Sequence, residues 1–232
     1  ICGFSGHVLD ILIVYYGSFT GLLTASLKWN KTVIDVESHK TRISKDKLSP
    51  LVVIDPIQKK RNAAAALSRE KYDLFRKKTE EFLKNPSESC FEKKSFSVPK
   101  IKARDIVLKA FALEGKEDVI GCKLLKVHKH IIKATKEFGP SNYGWHWNKP
   151  NESYFWYDFK KKQLPKIFIH VGPPLSAKKH YQEFAKKYPD HYIKDGRAYA
   201  KLKRKYNKLL PFIQKTISSD YVIQRVKSIE II

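Results

Sequence analysis

"LVVIDPIQKKRNAAAALS", residues 51–68, passes from an apolar run through Asp55-Pro56 into three cations, Asn62 and a block of alanines. Leu51 to Ile54 are apolar and partly β-branched. Pro56 has no N–H and disfavours helix in the residue before it, so a buried strand ending at Asp55 is predicted. An Asp at such a junction bonds its own backbone in a turn, which gives Asp55 a structural rather than a catalytic role. Asn accepts from the free N–H groups of a first helical turn, and Ala has the highest helix propensity. One helix is therefore predicted from Asn62 to Asn85-Pro86, with Leu67, Leu74, Phe75 and Phe82 on one face.

Towards the N-terminus, "GFSGHVLDILIVYYGSF" offers Ser5 as a cap, Val8, Ile11, Leu12 and Tyr15 at helical spacing, and Gly17 as a stop. A second helix is predicted from Phe19 to Trp29, a strand over "TVIDVE", and a polar loop from there to Pro50. In the other direction, residues 85–100 read as a linker and "ARDIVLKAFAL" as an alternating strand. "VIGCKLLKVHKHIIKATKEFG" reads as an amphipathic helix with Leu124, Val127, Ile131 and Ala134 inward, ended by Gly139-Pro140. Two aromatic runs flank Asn148-Lys149-Pro150-Asn151, a hairpin signal, and "KIFIHVGPPL" supplies another strand. "SAKKHYQEFAKKYP" is a short helix with Tyr181, Phe184, Ala185 and Tyr188 on one face. The fold class predicted is α+β: a mainly helical segment over residues 1–92, an α+β sandwich body over 93–175, and a small basic helix/strand tail with a C-terminal segment over 176–232.

The 232 residues carry a formal charge of +23, unevenly placed. Residues 1–90 hold 15 basic and 10 acidic side chains, net +5, whereas residues 91–232 hold 31 and 13, net +18. The anionic partner is therefore expected on the second half, and cations interleaved with 12 Tyr, 13 Phe and 4 Trp suit nucleic acid better than a lipid surface. Cys2, Cys90 and Cys122 are odd in number and far apart, which indicates neither a disulfide framework nor a Cys-x-x-Cys zinc site and favours a reducing, cytoplasmic setting. No run reaches the ~18 apolar residues of a membrane span, so no membrane partner is predicted. The chain contains no Met and starts at Ile1, which reads as a fragment.

Gly17-Ser18 followed by Asp35-Val36-Glu37 has the outline of a polymerase-β-type nucleotidyltransferase centre, in which two carboxylates on one strand face hold two metal ions. The gap is long, Ser38 follows Glu37 where an apolar strand residue is expected, and no third carboxylate is assigned. A helix cap plus an edge strand is the better reading. His128 and His130 are two apart on a helix, whereas helical ligand pairs stand four apart. No catalytic and no metal-ligating residue is assigned.

The strongest signal is residues 160–208, with 15 basic and 3 acidic side chains. Within it "RAYAKLKRKY" alternates, placing Arg197, Tyr199, Lys201, Lys203 and Lys205 on one strand face and Ala198, Ala200 and Leu202 on the other. Same-face residues recur about every 6.7 Å, close to the phosphate spacing along RNA, so the row can track a backbone. The alternative is a solvated edge strand guarded by lysines.

Together, "GFSGHVLDILIVYYGSF", "VVIDPIQKKRNAAAALS", "EFLKNPS", "HVGPP" and "DGRAYAKLKR" resemble, in order and spacing, landmarks of the archaeal-type (class I) CCA-adding enzymes, the tRNA nucleotidyltransferases that build the 3′-terminal CCA. The resemblance spans nearly the whole chain; His7, Asp10 and Ala63 stand where an aromatic, Glu and Val are usual. It implies the end of a central (neck) domain plus body and tail, the catalytic head lying before the first residue. The chain alone is then inactive, with catalysis supplied by a head-containing segment or subunit. The complete enzyme uses Mg2+, CTP and ATP, none expected to be bound by this chain alone. It also implies tRNA as partner, gripped at the acceptor stem and TΨC arm. The candidate RNA contacts are Lys160, Lys161, Lys162, His170, Lys178, Lys179, Arg197, Lys201, Lys203 and Lys205. The alternative is a stand-alone, non-catalytic RNA-binding protein without the head.

Overall fold

The computed structural model describes residues 2–92 and 96–232. The chain forms two compact units, residues 1–95 and 96–232. The boundary expected at residue 93 lies outside the described residues.

In the first unit, α1 (Gly6–Tyr16) starts where the Ser5 side chain accepts from Val8 N–H and ends at Gly17, whose φ of 75° only glycine adopts readily. Val8, Ile11 and Leu12 are buried, while Tyr15 is exposed and Tyr16 turns inward instead. Helix α2 (Phe19–Ser26) is capped by Ser18. It stops three residues short of the expected Trp29, where Ser26 Oγ donates back to Leu23 C=O at 2.7 Å. Trp29 leaves the helix to fill the core, its indole N–H on the Tyr16 hydroxyl at 2.9 Å and its ring stacked on Tyr72 and Phe75. Strand β1 (Val33–Ile34) pairs in parallel with β2 (Val52–Val53), and Ile54 adds a bridge to Asn62.

The alanine block is not helical. Helix α3 (Arg69–Lys84) begins seven residues later than predicted, after the Ser68 cap. Asn62 is buried, and its Oδ1 accepts from the N–H of Val53 and of Ala64, both at 3.0 Å. Its Nδ2 donates to Lys47 C=O and Ser49 Oγ at 2.9 and 3.0 Å. A side chain so engaged with distant backbone overrides the local propensity of Ala63 to Ala66. Tyr72 and Thr79 are the buried residues of α3, Phe75 joins the same core, and Leu74 points outward.

In the second unit, α4 (Val98–Ile101) precedes β3 (Ile106–Phe111), α5 (Glu117–Ala134), β4 (Pro140–Asn148) and β5 (Glu152–Phe159). The expected hairpin turn over 148–151 joins β4 and β5. Strand β3 does not alternate between core and solvent: Ile106, Leu108 and Ala110 join the main core, while Val107 packs against Ile101 and Tyr154 on the other face. Leu124, Val127 and Ile131 of α5 are buried, and Thr135 is buried where Ala134 was expected to be.

Strand β6 (Ile167–Pro174) does not extend this hairpin. It pairs with β8 (Arg197–Lys203), which also pairs with β7 (Tyr192–Lys194), giving a separate sheet β6-β8-β7 with α6 (Lys178–Lys187) on one face. The segment beyond forms α7 (Leu209–Ile217), α8 (Asp220–Ile223) and β9 (Ser228–Ile231). Strand β9 returns to β3, completing a four-stranded sheet β4-β5-β3-β9. Its main core joins β3, β5, α5 and α7. The architecture is α+β.

Candidate nucleic-acid interface

The alternation of β8 is realised in three dimensions. Ala198, Ala200 and Leu202 face α6, where they meet Phe184, Tyr181 and Tyr188, so Arg197, Tyr199, Lys201 and Lys203 occupy the opposite, uncovered face. Register shows what flanks them on that face. Ile167, Ile169 and Val171 of β6 stand opposite Lys203, Lys201 and Tyr199; Tyr192 and Lys194 of β7 stand opposite Tyr199 and Arg197. Directly paired residues share a face, so this face carries an aliphatic row, more than half exposed at each position, beside a cationic row and a stacked Tyr192–Tyr199 pair. Arg197 is oriented by its Nη1, which donates to Gly172 C=O at 3.0 Å.

Strand β8 is central in its sheet, not an edge, although β7 covers only residues 197–199. At Lys201 and Lys203 only β6 pairs with β8, so beyond Tyr199 the strand is open on its other side. Lys205 lies past the end of β8, with its ammonium 5.6 Å from the centre of the Tyr206 ring.

The ten candidate residues do not form one surface. His170 points to the α6 face, its ring 5.6 Å from that of Phe184 and 5.4 Å from that of Tyr188. Lys178 and Lys179 open α6, on the side of the sheet opposite the β8 row. Lys160, Lys161 and Lys162 follow β5. Lys162 donates to Asp105 Oδ1 at 2.7 Å, and that bond, with the Phe159 N–H, holds the Asp105 carboxyl below its ordinary range. Arg204, which sequence reasoning passed over, bonds Glu137 at 2.5 Å and lies over the Phe168 ring at 4.6 Å. The aliphatic row was also missed: "KIFIHVGPPL" reads only as a strand, and which of its faces stays open depends on its pairing with β8.

In the first unit, Asp55 is a turn former. Its Oδ1 accepts from the N–H of Ile57 and Gln58, and Oδ2 lies 3.3 Å from Arg61 and 3.6 Å from His7. The Gln58 N–H above all, then Ile57, Arg61 and His7, hold its carboxyl low against the opposing effect of burial. Ser18 and Asp35 are likewise consumed: Ser18 caps α2, and the two Asp35 oxygens accept from the N–H of His39 and Lys40 at 3.0 and 2.8 Å. The predicted strand over residues 32–37 ends at Ile34, and exposed Glu37 lies in a turn, so the two carboxylates share no strand face. Among the described residues no three His, Cys, Asp or Glu side chains converge as a metal site. These residues do not fit a two-metal centre.

Residues 1–92 match the model of the tRNA nucleotidyltransferase second domain, and residues 110–222 match that of the CCA-adding enzyme C-terminal domain. Both describe parts of one class of protein, the tRNA nucleotidyltransferases. The CCA-adding enzyme of Methanocaldococcus jannaschii is 28% identical over 244 residues, covering 94% of this chain and 52% of that protein. That of Pyrobaculum islandicum is 28% identical, covering 96% and 54%, and that of Methanosarcina barkeri 32% identical, covering 88% and 48%. The chain belongs to the archaeal-type CCA-adding enzyme family. It spans about half the length of the relatives it matches.

Proposed function

We propose that this chain is the tRNA-binding part of an enzyme that adds C, C and A to tRNA 3′ ends from CTP and ATP, holding the acceptor stem and TΨC arm. A head-containing segment or subunit supplies the Mg2+ site and the chemistry. The observation that carries this reading is the face of the β6-β8-β7 sheet opposite α6, where Arg197, Lys201 and Lys203 stand in line and exposed. Duplex RNA is read by shape and phosphate, which suits a cationic strand better than a base-specific pocket. Three free cysteines suit a cytoplasmic setting. No single helix among the described residues is long and apolar enough to cross a membrane; α1 and α2 reach the length only as a pair bent by 92°.

The test is fluorescence anisotropy of a labelled acceptor–TΨC minihelix across salt concentrations. Replacing Arg197, Lys201, Lys203 and Lys205 with Gln should make the slope of log affinity against log salt shallower by roughly three to four units, at about 0.9 per phosphate contact. Lys186→Gln with Lys187→Gln, on α6 at the other side of the sheet, is the comparison, and an equal flattening there would remove the row from the interface. Labelled CTP and ATP with tRNA lacking CCA test the division of chemistry. Incorporation by this chain alone, abolished by Asp35→Asn, would restore the carboxylate pair. Binding with no incorporation even beside a head-containing chain would favour a stand-alone RNA-binding protein.

A further inference from the structure

A second cationic surface lies on the helical side of the four-stranded sheet. His130 and Lys133 belong to α5, Lys215 to α7, and Arg225 follows α8. The Tyr221 ring centre lies 4.3 Å from that of His130 at an interplanar angle of 22°, and the Arg225 guanidinium carbon lies 3.7 Å from the same centre. Two flat groups that close cannot share one side of a ring, so Tyr221 is sandwiched between imidazole and guanidinium. Arg225 Nη1 donates to Tyr221 C=O at 2.7 Å. The guanidinium is thus fixed by a ring face and a carbonyl, neither of which cancels its charge, and its remaining N–H donors keep a set direction.

Lys133 stands one turn from His130 on α5, and α7, which carries Lys215, packs on α5 in the shared core. Partial burial first, then the charges of Arg225, Lys133 and Lys215, disfavour a proton on His130. Among the described residues none of the three makes an ion pair with a carboxylate. Of the acids nearest in sequence, Glu137 is held by Arg204, Asp220 opens α8 at the surface, and Glu230 on β9 lies near Lys109, which stands opposite it on β3. Cations gathered without a counter-charge repel one another, and an anion with several oxygens relieves that repulsion.

We propose that His130, Lys133, Lys215 and Arg225 form a second phosphate-binding position for the RNA backbone, separate from the β8 row. It rests on the RNA reading given above. The cluster joins three helical elements that enter the same core, so its geometry is set by packing rather than by a loop.

The full chain and the labelled minihelix test it. Lys133→Gln with Lys215→Gln removes two exposed side chains, and the salt slope should become shallower by about 1.8 while the fold is retained. Arg225→Lys keeps the charge and loses the flat stacked group, so affinity should fall about threefold at nearly constant slope. If the parent chain binds and the double variant keeps both slope and affinity, the second position is overturned and the β8 reading stands. If the parent does not bind the minihelix, both fall. The His130 imidazole, followed by NMR, supplies an independent readout: saturating minihelix should raise its titration midpoint by about one unit. Inorganic phosphate at the same phosphate concentration should leave it in place. An equal rise with both would assign the cluster to free anions instead of RNA.

Discussion

The Tyr157 hydroxyl lies 2.9 Å from Nδ1 of His128, inside the core shared by α5 and β5, where the imidazole also stacks against Phe155. Burial pushes the His128 pKa down from 6.5 to about 4. The unfolded chain therefore binds a proton that the folded chain refuses between those values. Stability from this residue is complete above about pH 6.5, falls as pH drops towards 4, and changes no further below. The loss is on the order of 3 kcal/mol. Urea midpoints measured at pH 7 and pH 4.5 should drop more steeply for the parent than for His128→Phe. Parallel behaviour of the two chains would contradict the assignment.

Asn62 joins four partners from separate stretches of chain, and Asn62→Ala leaves the Val53 and Ala64 N–H groups without that acceptor. The expected cost is about 3 kcal/mol. Trp29, the one tryptophan of the first unit, reports the transition by fluorescence in a chain whose other three tryptophans are replaced by Phe. Asn62→Asp should cost more, since a carboxylate cannot donate to the Lys47 carbonyl.

Asp55→Asn should lower stability at neutral pH by about 1–2 kcal/mol, because the carboxylate accepts two backbone N–H bonds and faces Arg61. Its folded pKa lies below the ordinary 3.8, so the contribution is present above that value and lost as pH falls through the lower one. The difference in melting temperature between parent and variant should accordingly shrink on acidification below pH 3.8.

At Gly172 an added Cβ would stand 2.6 Å from the Phe184 ring. Gly172→Ala must displace the Phe184 ring from its place between α6 and the sheet, at about 1–3 kcal/mol. The Lys201 and Lys203 side chains are on the other side, and Arg197 meets Gly172 only through its carbonyl, so near-ultraviolet circular dichroism should change more than minihelix affinity does. The reverse pattern would mean that α6, not the β8 row, carries the contacts.

What the sequence disclosed and what it withheld divide by range. Ser5 and Gly17 bound α1, and Asn148 to Asn151 turn the hairpin, through bonds a few residues long, so their chemistry is visible in a short window. The Asn62–Val53 bond and the pairing of β6 with β8 join stretches whose neighbours say nothing of each other. Helix propensity misread the alanines for that reason. At the interface, the alternation of β8 was readable because one face is alanine. The cluster around Tyr221 was not, since His130, Lys215 and Arg225 meet only after three helices have packed.

The pairing of β9 with β3 sets an order of events during synthesis. Residues 106–111 leave the ribosome long before residues 228–231, yet the edge of β3 that β9 covers stays open until the latter arrive. Helix α5 and the β4–β5 hairpin can assemble on β3 meanwhile, because their contacts are close in sequence. A nascent chain stalled before Ser228 should thus hold a second unit with an unpaired strand edge, a state that chaperones would recognise and that the chain passes through only briefly once residues 228–231 emerge.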